Sequence, residues 1–126
     1  MAKTPVINLQ PALLDLALYA GDGANIRLTL TDNATPPAPL NLTGEVLAQI
    51  RKVRTDADPL ADFAIDITDP ANGIVIISLD GTQTAALIPT GETEFEGVWD
   101  VQWTATGGVP VTLFQGTATC VLDVTR

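Results

Sequence analysis

A chain of 126 residues with no histidine, one cysteine and a formal net charge of −9 excludes several classes of function at once. Imidazole metal sites and Ser–His–Asp or Cys–His catalysis need histidine, and a lone thiol forms neither an intrachain disulfide nor a thiolate zinc site. The acidic balance repels nucleic-acid phosphates and anionic membrane surfaces alike, so the expected partners are proteins, with no nucleic acid and no membrane.

The length suits one domain with its own core. Apolar residues make up 46% of the chain and charged residues 17%, which leaves few charges to cover a small domain. Either apolar surface meets a partner, or the outer faces are threonine-rich. No run of about 20 apolar residues offers a membrane span. Pro5, Asn8, Gln10, Pro11 and Asp15 interrupt any signal-peptide core, so cytoplasmic synthesis is expected.

In chain order, residues 1–12 read as an extended arm, with one charge, two prolines and the apolar Val6, Ile7 and Leu9. The sandwich domain is expected over 13–126. Leu14, Leu16 and Leu18 alternate with Asp15, Ala17 and Tyr19. A Gly21-Asp22-Gly23 turn follows, and then Ile26, Leu28 and Leu30 alternate with polar residues. These two strands are expected to be consecutive in one sheet. A proline-rich loop (32–39) precedes a strand with Val46, Ala48 and Ile50 on one face, and residues 52–59 form a polar turn or loop.

Phe63, Ile65 and Ile67 mark the next strand, closed by an Asp69-Pro70-Ala71-Asn72-Gly73 turn. Residues 74–79 are apolar on both faces except Ser78, the pattern of a central strand covered on both sides. Asp80 caps a helical turn over 82–87, which Pro89 ends. Trp99, Val101, Trp103 and Ala105 then share a face, Gly107-Gly108 turns the chain, and a last strand runs to Val124 with a bulge or bend at Gly116. About seven strands and one short helical turn predict an all-β, antiparallel two-sheet β-sandwich, immunoglobulin-like in architecture. The Cys–Trp–Cys signature of antibody domains is missing.

Candidate chemistry is thin. Without GxxxxGK[ST] or GxGxxG there is no phosphate cradle, so no cofactor is expected and the chain reads as a non-enzyme. Glu92, Glu94 and Glu96, two apart, form either a carboxylate pair for glycosidic chemistry or a solvated charged edge. Asp56, Asp58, Asp66, Asp69 and Asp80 are either calcium-ligand candidates or ordinary turn formers; no metal site is expected. Arg51, Lys52 and Arg54 are the one basic cluster. They would either dock on an acidic patch of a neighbour or guard an edge strand. Trp99 and Trp103 are either core anchors or, if exposed, a binding pair for carbohydrate or protein. Cys120 reads as a buried small hydrophobe.

The ordered series GDG, IRLTLTD, NLTG, QIRKVRTDADPLADF, ITDPANGIVIISL, TAALIP, GVWDVQW and LFQGTATCVLDVTR resembles the small Ig-like sandwich proteins encoded among the tail genes of tailed bacteriophages, and is similar to N-terminal domains of phage baseplate upper proteins. The resemblance covers about residues 15–126. The stretch Glu92–Glu96 is longer and more acidic than that pattern has, and residues 1–12 have no counterpart. The resemblance implies a virion structural role, in the tail or at the tail tip or baseplate, in several copies contacting each other and other virion proteins. Capsid decoration or head–tail joining is the alternative, and a carbohydrate-binding adhesin module a further one. Val6, Ile7, Leu9, Arg51, Lys52 and Arg54 are the expected partner contacts.

Overall fold

The computed structural model describes residues 12–31 and 38–122. Residues 1–11 of the expected arm, with Val6, Ile7 and Leu9, lie outside them, and its last residue, Ala12, opens a strand. The strands are β1 (Ala12–Leu13), β2 (Leu16–Ala20), β3 (Ala24–Thr29), β4 (Glu45–Arg51), β5 (Ala61–Asp62), β6 (Ala64–Asp69), β7 (Ile74–Leu79), β8 (Glu94–Thr104) and β9 (Pro110–Leu122), with one helix, α1 (Gly81–Leu87), between β7 and β8. They form the expected all-β sandwich. A six-stranded sheet has the order β1-β9-β8-β4-β5, with β2 beside β9 as the continuation of β1, and a three-stranded sheet has the order β3-β7-β6.

Alternation assigns the faces. Leu16 and Leu18 on β2, Val46, Ala48 and Ile50 on β4, Val75, Ile77 and Leu79 on β7, and Trp99, Val101 and Trp103 on β8 are all buried between the sheets. A strand turns successive side chains to opposite faces, so each apolar series reaches the same interior while its polar neighbours face out.

Sheet membership departs from the sequence reading in several places. The Gly21-Asp22-Gly23 turn carries the chain from the large sheet to the small one, so β2 and β3 are not neighbours: β2 pairs with β9 and β3 with β7. The Phe63 run is split. Ala61–Asp62 pairs with β4 and Ala64–Asp69 pairs with β7, and buried Phe63 sits at the crossing, 5.9 Å from Trp99 between ring centroids. The acidic stretch is partly strand, since β8 begins at Glu94. β7 is central in its sheet, but only its inner residues are fully covered; Ile74, Ile76 and Ser78 are half-buried.

One edge is parallel: β1 and β2 both run alongside β9 in the same direction. The expected bulge is at Leu113 rather than Gly116, because Val101 faces Phe114 while Gln102 faces Thr112. Gly116 has a different task. A β-carbon there would lie 2.2 Å from the Leu14 carbonyl oxygen. The missing side chain lets that carbonyl dip inward between β1 and β2, where it accepts the Trp99 indole N–H at 2.6 Å. Asp15, at the same break, accepts the Thr117 amide at 3.0 Å. That bond is the main reason the Asp15 carboxyl is held below its ordinary pKa.

The small sheet connects to α1 through turns. Gly73, at φ 69°, closes the expected turn with its N–H on the Pro70 carbonyl. Asp80 caps α1 in a reciprocal capping box with Gln83. Thr84, on the buried side of α1, accepts the Gly21 amide at 3.0 Å and has the Asp22 carbonyl at 2.9 Å as an acceptor. It therefore fixes the crossover turn to the helix.

Candidate functional site

The basic cluster lies where β4 ends and the 52–60 loop begins. Arg51 is half-buried. Its Nε donates to the Asp56 carbonyl at 3.0 Å and its Nη1 to Gln49 Oε1 at 2.8 Å. Lys52 Nζ donates to the Glu96 carbonyl at 2.8 Å and stands 5.3 Å from the centroid of the Phe95 ring. Arg54 reaches across the large sheet, donating to Gln115 Oε1 at 3.2 Å. Asp56 builds the loop itself, accepting the Val53 amide at 3.2 Å.

These contacts favour the edge-guarding role for Lys52. The last β4–β8 pair is Arg51 with Val98, so residues 94–97 of β8 extend past β4 with their outer backbone groups available. Lys52 covers one of those carbonyls with a charge, which discourages another strand from adding there. Arg51 and Arg54 flank a recess of about 160 Å³ lined by Gln49, Arg51, Arg54, Val98, Trp99 and Asp100.

Desolvation in this recess raises the Asp100 carboxyl above its ordinary pKa, against the opposing pull of the Arg51 and Arg54 guanidiniums. A carboxylate raised on folding costs stability where it is ionised, so this contribution falls as the pH climbs through the folded pKa. Asp100→Asn is therefore expected to be more stable than the parent at pH 7 in urea unfolding, with the gap closing as the pH drops below the ordinary carboxylate value of 3.8. Asp15 acts in the opposite sense: its lowered pKa contributes stability that is lost as the pH falls. A stability gap for Asp100→Asn that widens toward acid pH would contradict the assignment.

The other candidates are dispersed. Glu94 and Glu96 alternate with inward-facing Phe95 on the exposed side of β8, and Glu92 stands in the preceding turn. They share with Lys52 a broad depression open to solvent. Among the described residues no group of three or more Asp, Glu or Cys side chains is placed to hold a metal ion. Trp99 is 2% and Trp103 6% exposed, and the Trp103 indole donates to the Thr43 carbonyl at 2.8 Å. Both are core anchors, which leaves Tyr19, 52% exposed, as the one large aromatic on the described surface. Cys120 is buried, its Sγ faces the Thr84 carbonyl at 3.5 Å, and burial pushes its thiol pKa up, away from the reactive thiolate.

Thr84 is the residue that sequence reasoning missed. It is the one buried polar side chain among the described residues, and nothing in a TAAL run separates it from a solvent-facing threonine. Leu13, Leu47 and Val109 are exposed large apolar side chains. No protein-family model matches this chain, and no curated protein matches it in sequence.

Proposed function

We infer that this protein is a structural component of a tailed-bacteriophage virion, in the tail, tail tip or baseplate, and that it acts by contact with copies of itself and with other virion proteins. The observation that carries this reading is how the polar groups are used. The Arg51 and Arg54 guanidiniums, Lys52, both indoles and Thr84 are all engaged in holding the sandwich together. Apolar side chains such as Leu13, Leu47 and Val109 face outward instead. A scaffold whose polar groups serve its own fold, with apolar surface left over, suits attachment rather than turnover. The ordered motif series from GDG to GTATCVLDV supplies the phage resemblance.

The adhesin alternative loses its tryptophan pair to the core and keeps only Tyr19. Immunogold labelling of purified particles tests the reading. Gold on the tail or its tip supports it, gold on the head moves the role to capsid decoration, and unlabelled particles with the protein left in the soluble fraction contradict it.

A further inference from the structure

The outer face of the three-stranded sheet has an unusual arrangement across its middle row. Arg27 on β3 pairs with Ile76 on β7, and Ile76 pairs with Asp66 on β6, so a cation, an isoleucine and an anion stand side by side. Arg27 and Asp66 are exposed and Ile76 is half-buried. Among the described residues neither the Arg27 nor the Asp66 side chain makes a hydrogen bond or ion pair. The row above has Thr29, Ile74 and, past a register shift, Asp69, whose carboxylate accepts from Asn72, and the row below has Asn25, Ser78 and Ala64. Residues 74–79 carry the sequence pattern of a strand covered on both faces. The described residues put a layer only on the inner one.

We propose that this face is covered by the same face of a second copy of the chain, about a two-fold axis running along β7, so that Arg27 of each copy opposes Asp66 of the other and Ile76 meets Ile76. A two-fold interface uses one patch twice and must be complementary to itself. Rotation about an axis along the strands exchanges the left and right sides of the row, which brings opposite charges together. Rotation about an axis across the strands would set Arg27 against Arg27 and Asp66 against Asp66. The charges therefore select the first arrangement, in which the two β7 strands run the same way and the sheets pack in the aligned manner.

Three strands about 4.8 Å apart and six residues long at about 3.3 Å each give a face of roughly 14 by 20 Å. That is well short of the roughly 800 Å² each partner buries in a standard stable interface. The isolated pair is accordingly weak, and it gains strength where many copies are held in one assembly. The inference deepens the assembly role above by naming a self-contact. Its test is independent of where the protein sits, because a failed self-contact would leave the particle labelling unchanged.

The test is sedimentation equilibrium of the full chain across about 10 µM to about 1 mM, a range that brackets weak association. The parent, Arg27→Asp, Asp66→Arg and an equimolar mixture of the two variants are compared, with circular dichroism to verify folding. The parent is expected to self-associate with increasing concentration. Each single charge reversal sets like charges opposite each other and is expected to weaken self-association by about tenfold or more. In the mixture every opposed pair is again of opposite sign, so association returns as a dimer containing one of each variant. A parent that stays monomeric at the top of the range overturns the proposal. So does self-association that ignores both reversals, and so does a mixture no more associated than its two components.

Discussion

Gly116→Ala is expected to destabilise the sandwich by about 2–5 kcal/mol, the combined scale of an overpacked interior site and an orphaned buried polar group. The added β-carbon would fall 2.2 Å from the Leu14 carbonyl oxygen and 2.9 Å from Asp15 Oδ1. Rotating the Asp15 carboxylate relieves the second contact, but the nearer atom is backbone and cannot turn away. If the Leu14 carbonyl retreats, the Trp99 indole N–H loses its acceptor inside the core. Asp15 would also be pulled from the Thr117 amide, and the β1–β2 edge would come away from β9. Trp99→Phe separates the two effects: it removes the indole donor but leaves the Gly116 approach intact, and it should cost less than the glycine change. Urea unfolding followed by circular dichroism measures both. A Gly116→Ala loss below about 1 kcal/mol, the scale of an ordinary glycine replacement, would mean that the carbonyl does not occupy that space.

Thr84→Val is expected to cost about 2–3 kcal/mol, although it keeps the shape of the side chain. The hydroxyl is the acceptor for the Gly21 amide and has both the Asp22 and Gly81 carbonyls within reach. Valine leaves those groups without it at a residue that is fully buried, and an unsatisfied buried donor carries its full desolvation cost. Thr84→Ser keeps the hydroxyl and deletes one methyl, so about 1 kcal/mol is expected from it. The order valine worse than serine is the informative result. The reverse order would show that the methyl, not the hydroxyl, holds the crossover turn to α1.

These two positions show why the fold was only partly legible in the sequence. Period-two alternation correctly put Leu16 and Leu18, then Val46, Ala48 and Ile50, and then Trp99, Val101 and Trp103 on common faces, and all of them are buried, because it reports which side chains share a face of a strand. It cannot report which strand lies alongside. Nothing in Gly21-Asp22-Gly23 distinguishes a hairpin from a crossing between sheets, and nothing in the Phe63 run marks the residue at which it changes sheet. Local signals did better. The Asp80 cap and the Asp69–Gly73 turn formed as their chemistry predicts, since their partners lie within a few residues.

The candidate site divides in the same way. Composition identified Arg51, Lys52 and Arg54 as the one basic cluster, but charge alone does not name a partner. The acceptors are Gln49, Asp56, Glu96 and Gln115, two of them more than 40 positions away. The row Arg27, Ile76 and Asp66 was equally hidden. Its members come from three strands and adjoin only through the pairing register.

The role proposed for this sandwich is attachment within a particle. Quantitative mass spectrometry of purified, salt-washed particles tests it most directly. The protein should remain at a fixed multiple-copy ratio to the major particle proteins from one preparation to the next. Loss of the protein in the wash, or a ratio that drifts between preparations, would contradict it.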